Sequence, residues 1–143
     1  MSVTTEDVQE GVAQIWNAAT AVTSLVTSLT LGRVEQSATA PYAGYEVEDG
    51  EIVREAQGSG LLKFTVTFKT WDQTGATDAG PIKLAIEGAF TIRTRTVLTL
   101  ASGRTLKIID SLKHPGKLNE DEATNLGRAV KIATDVFEIL CQG

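Results

Sequence analysis

The stretch that most limits the fold is Leu61 to Trp71, LLKFTVTFKTW. Leu62, Phe64, Val66 and Phe68 alternate with Lys63, Thr65, Thr67 and Lys69. A period of two describes a strand with one dry face and one wet face. The dry face needs an apolar cover, and the wet face is written for water. The lysines also discourage edge-to-edge pairing. The chain has 143 residues, a length that suits one domain, residues 1–143, around one core.

The cover has two helical candidates. Over residues 5–29, apolar positions fall at Val8, Val12, Ile15, Ala19, Val22, Val26 and Leu29. Steps of four and three place them in one stripe, which fits a core-facing helix better than a short coiled coil. Thr4 or Thr5 serves as cap, with Glu6 and Asp7 in the first turn where the helix dipole favours acids. Threonines and serines from Thr20 to Thr30 weaken the second half, so a break or a second short helix is expected there. The polar loop Asp72 to Asp78 precedes the other candidate, residues 78–90. Thr77 caps it, Pro81 lies near its start, and Ile82, Ile86, Ala89 and Phe90 share a side.

Val97 to Ile109 reads as a β-hairpin. With Ala101-Ser102-Gly103 as a three-residue loop and Gly103 left-handed, Leu98, Leu100, Leu106 and Ile108 share one face. Val97, Thr99, Thr105 and Lys107 share the other. Lys113-His114-Pro115-Gly116 reads as a loop. Beyond it, Leu126, Val130, Ala133, Phe137 and Leu140 fit a helical face, whereas Val130, Ile132, Thr134, Val136 and Ile139 are β-branched. The favoured reading is an acidic turn at Glu120-Asp121-Glu122, then a last strand from about 128 to 140. The sum is an α+β fold: a mainly antiparallel sheet with two helices packed on one face.

The chemistry of catalysis is thin. His114 is the sole histidine and sits beside Pro115. No Cys/His cluster has metal-ligand spacing. There is no nucleophile elbow, phosphate loop or dinucleotide fingerprint. Gly58-Ser59-Gly60 reads as a turn. Glu120-Asp121-Glu122 lacks the alternating ligands and glycine of a calcium loop. An enzyme therefore has no candidate site, and no cofactor or metal is expected.

Charge is uneven. Residues 1–58 hold nine acids against Arg33 and Arg54, and residues 59–143 hold nine acids and eleven bases, for a net −5. That balance gives no grip on free nucleic acid, and Arg93, Arg95, Arg104 and Lys107 lack the interleaved aromatics of a nucleic-acid patch. The asymmetry suits either a solvated acidic surface or contact between one subunit's acidic region and a neighbour's basic one. The start MSVTTED has no positive n-region, no apolar run approaches the roughly 18 residues of a membrane span, and Cys141 is a lone cysteine. A cytosolic site of synthesis is expected.

Across nearly the whole chain, the layout resembles the tail terminator and minor tail proteins of long-tailed bacteriophages. The marks are Gly32-Arg33-Val34 after the first helix, Ala40-Pro41-Tyr42-x-x-Tyr45-x-Val47, and a strand ending Phe68-Lys69-Thr70-Trp71-Asp72 before a short helix and hairpin. The resemblance implies a homo-oligomeric, commonly hexameric ring on the head-proximal end of the tail tube. Such a ring binds the tube protein, ends tube polymerisation and meets the head-tail connector, while DNA passes through without specific binding. The location implied is the host cytoplasm during assembly, then the virion tail. Pro41 fixes its own φ and favours an extended Ala40, feeding Tyr42 and Tyr45 into a strand. Arg33, Tyr42, Tyr45, Arg93, Arg95, Arg104 and Lys107 are the candidate interface residues; for the tyrosines, a core role stands beside it. The other readings are a small ligand-binding module lined by Trp16, Tyr45, Phe64 and Phe68, and another neck role such as head completion.

Overall fold

The structure is a computed structural model that describes residues 3–26, 29–31, 42–48, 50–54, 60–72, 80–123 and 129–142. Among the described residues it is mixed, with three helices beside one seven-stranded sheet. The first helix, α1 (Thr5–Ala18), opens on a reciprocal cap. The Thr4 hydroxyl accepts from the Asp7 backbone N–H at 3.2 Å, and the Asp7 carboxylate accepts from the Thr4 N–H at 3.0 Å. The expected break falls at Ala19, whose ψ of 90° leaves the helical region. A single turn, α2 (Thr20–Thr23), follows. Two cover helices are thus three helical segments, with α3 (Gly80–Phe90) as the last.

The strands are β1 (Leu29–Leu31), β2 (Tyr42–Val47), β3 (Glu51–Arg54), β4 (Leu61–Asp72), β5 (Thr96–Thr99), β6 (Thr105–Ala123) and β7 (Ala129–Gln142). Their order is β1-β2-β4-β7-β6-β5. β3 continues along the edge of β4 that β2 occupies: β2 lies opposite Trp71 to Val66, and β3 opposite Lys63 to Leu61. β1 pairs parallel with β2, and the remaining pairings are antiparallel.

The period of two in β4 decides what is core. Phe64, Val66 and Phe68 are buried and stand opposite Ile139, Phe137 and Asp135 of β7. Ala43 and Tyr45 of β2 extend the same face, as do Leu106 and Ile108 of β6. Val8, Val12 and Trp16 of α1, Val22 of α2, and Ile82, Ile86 and Phe90 of α3 are buried against it. Gly11 permits the close approach of α1, because a Cβ there would stand 2.3 Å from Leu106 Cδ2. In β5 and β6, Leu98 faces Leu106 and Val97 faces Lys107, with Gly103 at φ 87° in the intervening turn.

The segment from Lys113 to Glu122 departs from expectation. Lys113-His114-Pro115-Gly116 is no loop, and Glu120-Asp121-Glu122 is no turn: both lie inside β6. His114 stands opposite Val136, and Glu120, Asp121 and Glu122 stand opposite Ile132, Lys131 and Val130. The register shifts between His114 and Lys117, and again between Lys117 and Glu120. Such irregularities let a strand carry a proline and a glycine. The β-branched run in β7 offers a partner to a segment whose own propensity is poor, and pairing overrides that propensity.

Candidate functional site

Among the described residues, Ser111 of β6, Asp135 of β7 and Thr70 of β4 bring polar groups to the buried face. A register shift between Ile108 and Asp110 sets Ser111 opposite Ile139 on the inner face. Ser111 holds the exit of α3: its hydroxyl donates to the Phe90 carbonyl and accepts from the Ile92 N–H at 2.8 Å, while its N–H donates to the Ile92 carbonyl at 3.1 Å. Asp135 sits at an inward position of β7, in phase with Phe137, Ile139 and Cys141, and is 0% exposed. Lys83 of α3 donates to its Oδ1 and lies 3.4 Å from the Thr134 carbonyl. Glu87, one turn along α3, is 3.7 Å from Lys83 and also pairs with Lys113 of β6. Charges of alternating sign therefore run from core to surface.

Burial raises the Asp135 pKa above the ordinary carboxylate value, and the Lys83 contact offsets this only in part. Among the described residues, Asp135 Oδ2 and the Thr70 hydroxyl find no hydrogen-bond partner. Fully enclosed, Asp135 offers no atom to a substrate, and its contacts describe a clamp between α3 and the sheet. Among the described residues no group of three or more His, Cys, Asp or Glu is placed to hold a metal ion. No helix among them is long and apolar enough to cross a membrane.

Cys141 is buried, and desolvation pushes its thiol up to about 12. A maleimide probe at pH 7.5 is therefore expected to leave the folded protein unlabelled and to label it fully in denaturant. Rapid labelling of the native state would contradict the burial.

Arg104 belongs to a second polar assembly. Its Nε and a terminal nitrogen donate to the Asp7 carboxylate at 2.8–3.2 Å. Burial alone would raise the Asp7 pKa, but the Arg104 and Thr4 hydrogen bonds outweigh it and hold the carboxyl below its ordinary value. Glu10 accepts from the Ala101 N–H at 2.9 Å, and Gln14 donates to the Thr99 carbonyl at 3.0 Å. Three residues of α1 thereby fasten the β5–β6 turn.

No protein-family model matches this sequence, and no curated protein matches it either.

The surface is where the remaining candidates lie. Arg93 and Arg95 are exposed in the segment that leads into β5, and Lys107 is half-buried. The outer sheet face carries Lys63, which bridges Glu51 at 3.3 Å and Glu138 at 3.6 Å, and His114, 3.1 Å from Glu138. Leu112 (57% exposed) and Val97 (54%) are bare apolar side chains on the same face.

The described side chains of the sequence-derived interface set do not gather in one place. Tyr45 is 6% exposed, stacks toward Phe68 and donates its hydroxyl to the Gln9 carbonyl at 3.0 Å, so it serves the core. Arg104 is engaged by Asp7 within the chain. Arg33 lies outside the described residues, and Tyr42 opens β2. The Lys83–Asp135 clamp escapes sequence reading, although one signal exists: an acid in phase with three apolar β7 positions.

Proposed function

We propose that this chain is a structural assembly protein of the phage tail-terminator kind. In this reading, copies form a ring on the head-proximal end of a tail tube, stop tube growth and present a joining surface to the head's connector. The chain makes and breaks no covalent bonds, and DNA passes without specific contact. The observation that carries the reading is the one-sided sheet. Its inner face is sealed by α1, α2 and α3, whereas its outer face keeps Leu112 and Val97 bare among charged residues. A surface of that mixed kind suits contact with neighbours better than enclosure of a ligand. The layout of Gly32-Arg33-Val34, Pro41-Tyr42 and Trp71-Asp72 is the sequence support.

A ligand-binding module would need space among Trp16, Tyr45, Phe64 and Phe68. Trp16 and Tyr45 instead stack on Phe68, with ring centroids at 5.7 and 6.2 Å, and Phe64 is 1% exposed. These four are packed core.

The test is assembly in the presence of the matching tail tube protein. Negative-stain imaging is expected to show tubes of bounded length with the protein bound at one end, and overlong tubes when it is withheld. Tubes indifferent to the protein, or decorated along their sides, would overturn the reading.

A further inference from the structure

Among the described residues, the buried polar and charged side chains are Asp7, Thr70, Ser111 and Asp135. Two of them are bonded on every side the fold requires. Arg104 and the Thr4 N–H take up the Asp7 carboxylate, and the Ser111 hydroxyl both donates and accepts. At the other two, Asp135 Oδ2 and the Thr70 hydroxyl are buried with no partner among the described residues. Buried polar atoms are normally bonded, because an unbonded one forfeits its hydration.

These two atoms belong to neighbours. β4 and β7 pair so that Asp135 stands opposite Phe68 and Thr70 opposite Ala133. Asp135 and Thr70 are each 0% exposed, and their register makes them diagonal partners on the inner face, about 7 Å apart. They do not bond each other. One water, with hydrogen bonds of about 2.8 Å to each side, spans such a gap. On the far side of β7, the β6 register shifts between His114 and Lys117, whose partners are Val136 and Thr134. Two residues of β6, 115 and 116, thus stand across from Asp135 alone. Such a bulge takes backbone groups off the ladder beside the carboxylate. Lys83 closes the place from α3, through Asp135 Oδ1 and the Thr134 carbonyl.

We propose that Asp135 Oδ2 and the Thr70 hydroxyl bind one enclosed water molecule, which ties β4 into the Lys83–Asp135 clamp. Water fits the chemistry of the place. The carboxylate oxygen needs a donor, and the hydroxyl gives or takes a hydrogen, so one water satisfies both. The Lys83 ammonium on the same carboxylate repels a metal cation, and the carboxylate itself repels an anion. Both residues are fully enclosed, so an organic ligand meets no exposed atom of either. A water, by contrast, is trapped as α3 closes over the sheet, and becomes part of the structure. Thr70 is then a positioning residue for Asp135. The site stands independently of the assembly reading above.

A high-resolution crystal structure of the wild type is expected to show one water at about 2.7–3.2 Å from both oxygens. A map with no water there, or a Thr70 hydroxyl bonded directly to Asp135, would overturn the proposal. Urea denaturation at pH 7 gives the second readout. Thr70→Val keeps the shape and removes the hydroxyl, so it is expected to lower the folding constant about fivefold. In a Lys83→Met/Asp135→Leu background the water has no carboxylate to meet, and the hydroxyl becomes a buried unbonded group. There Thr70→Val is expected to leave the folding constant unchanged or to raise it. An unchanged or raised constant in the wild-type background would mean that the native hydroxyl bonds nothing. An equal loss in both backgrounds would mean that it serves a partner other than Asp135. Either result overturns the proposal.

Discussion

Phe68→Ala is expected to lower the unfolding free energy by about 3–5 kcal/mol, a large share of the roughly 5–15 kcal/mol that holds a domain of this size. Phe68 is 0% exposed at the middle of β4. Its ring meets Phe90 of α3 at 4.6 Å between centroids, Trp16 of α1 at 5.7 Å, Phe137 of β7 at 6.0 Å and Tyr45 of β2 at 6.2 Å. Two helices and the two strands flanking β4 therefore converge on one side chain. Truncation removes its transfer energy and leaves a cavity whose walls belong to separate elements. Those walls are tied elsewhere, α1 through Asp7 and Arg104, and α3 through Ser111, so they cannot all close the gap. Urea titration reads the loss as a shift in midpoint, or as an unfolded protein. Phe68→Leu, which keeps most of the volume, is expected to cost less than half as much. A loss under about 1 kcal/mol for the alanine variant would show that Phe68 is not the hub of this core.

How far this architecture is legible in the sequence depends on whether a signal is local. The β4 alternation is local, and it fixes strand, dry face and need for cover at once. The break at Ala19 is also local, since the polar run from Thr20 dilutes the apolar stripe. The long β6 is not. Pro115 and Gly116 are local breakers, and only β7 opposite them makes the segment a strand. The polar anchors are less legible still. Arg104 and Asp7 are 97 positions apart, and Lys83 and Asp135 are 52 apart. Nothing in either neighbourhood names the other. Arg104 reads as part of a surface basic patch until the turn is placed over the start of α1. Tyr45 reads equally well as core or interface until the cover helix is set above it. Long-range pairing is what shows Arg104 on the Asp7 carboxylate and Tyr45 on the Gln9 carbonyl.

Removing Lys83 is the second substitution with a large expected effect, and its size depends on what stands at position 135. Lys83→Met is expected to cost about 3–5 kcal/mol at pH 7, because it leaves Asp135 ionised, enclosed and without its cation. The penalty should shrink as the solution is acidified. The folded pKa of Asp135 already lies above its unfolded value, so the folded protein holds that proton more tightly. Stability from this group is complete below the ordinary carboxylate value of 3.8 and is lost as pH rises through the raised folded value. Without Lys83 the folded value climbs further and the window widens, so the variant comes closest to wild type near pH 4. Asp135→Asn is expected to be milder, since Lys83 keeps Glu87 at 3.7 Å and is itself not fully enclosed. The double replacement Lys83→Met with Asp135→Leu exchanges the pair for apolar groups and is expected to recover most of the loss, within about 1 kcal/mol of wild type. Chemical denaturation of all four proteins at pH 4.5 and pH 7 checks the set. Equal penalties for Lys83→Met at both pH values would mean that Asp135 does not carry the cost. A double variant as unstable as Lys83→Met alone would mean that the clamp holds α3 by shape rather than by charge.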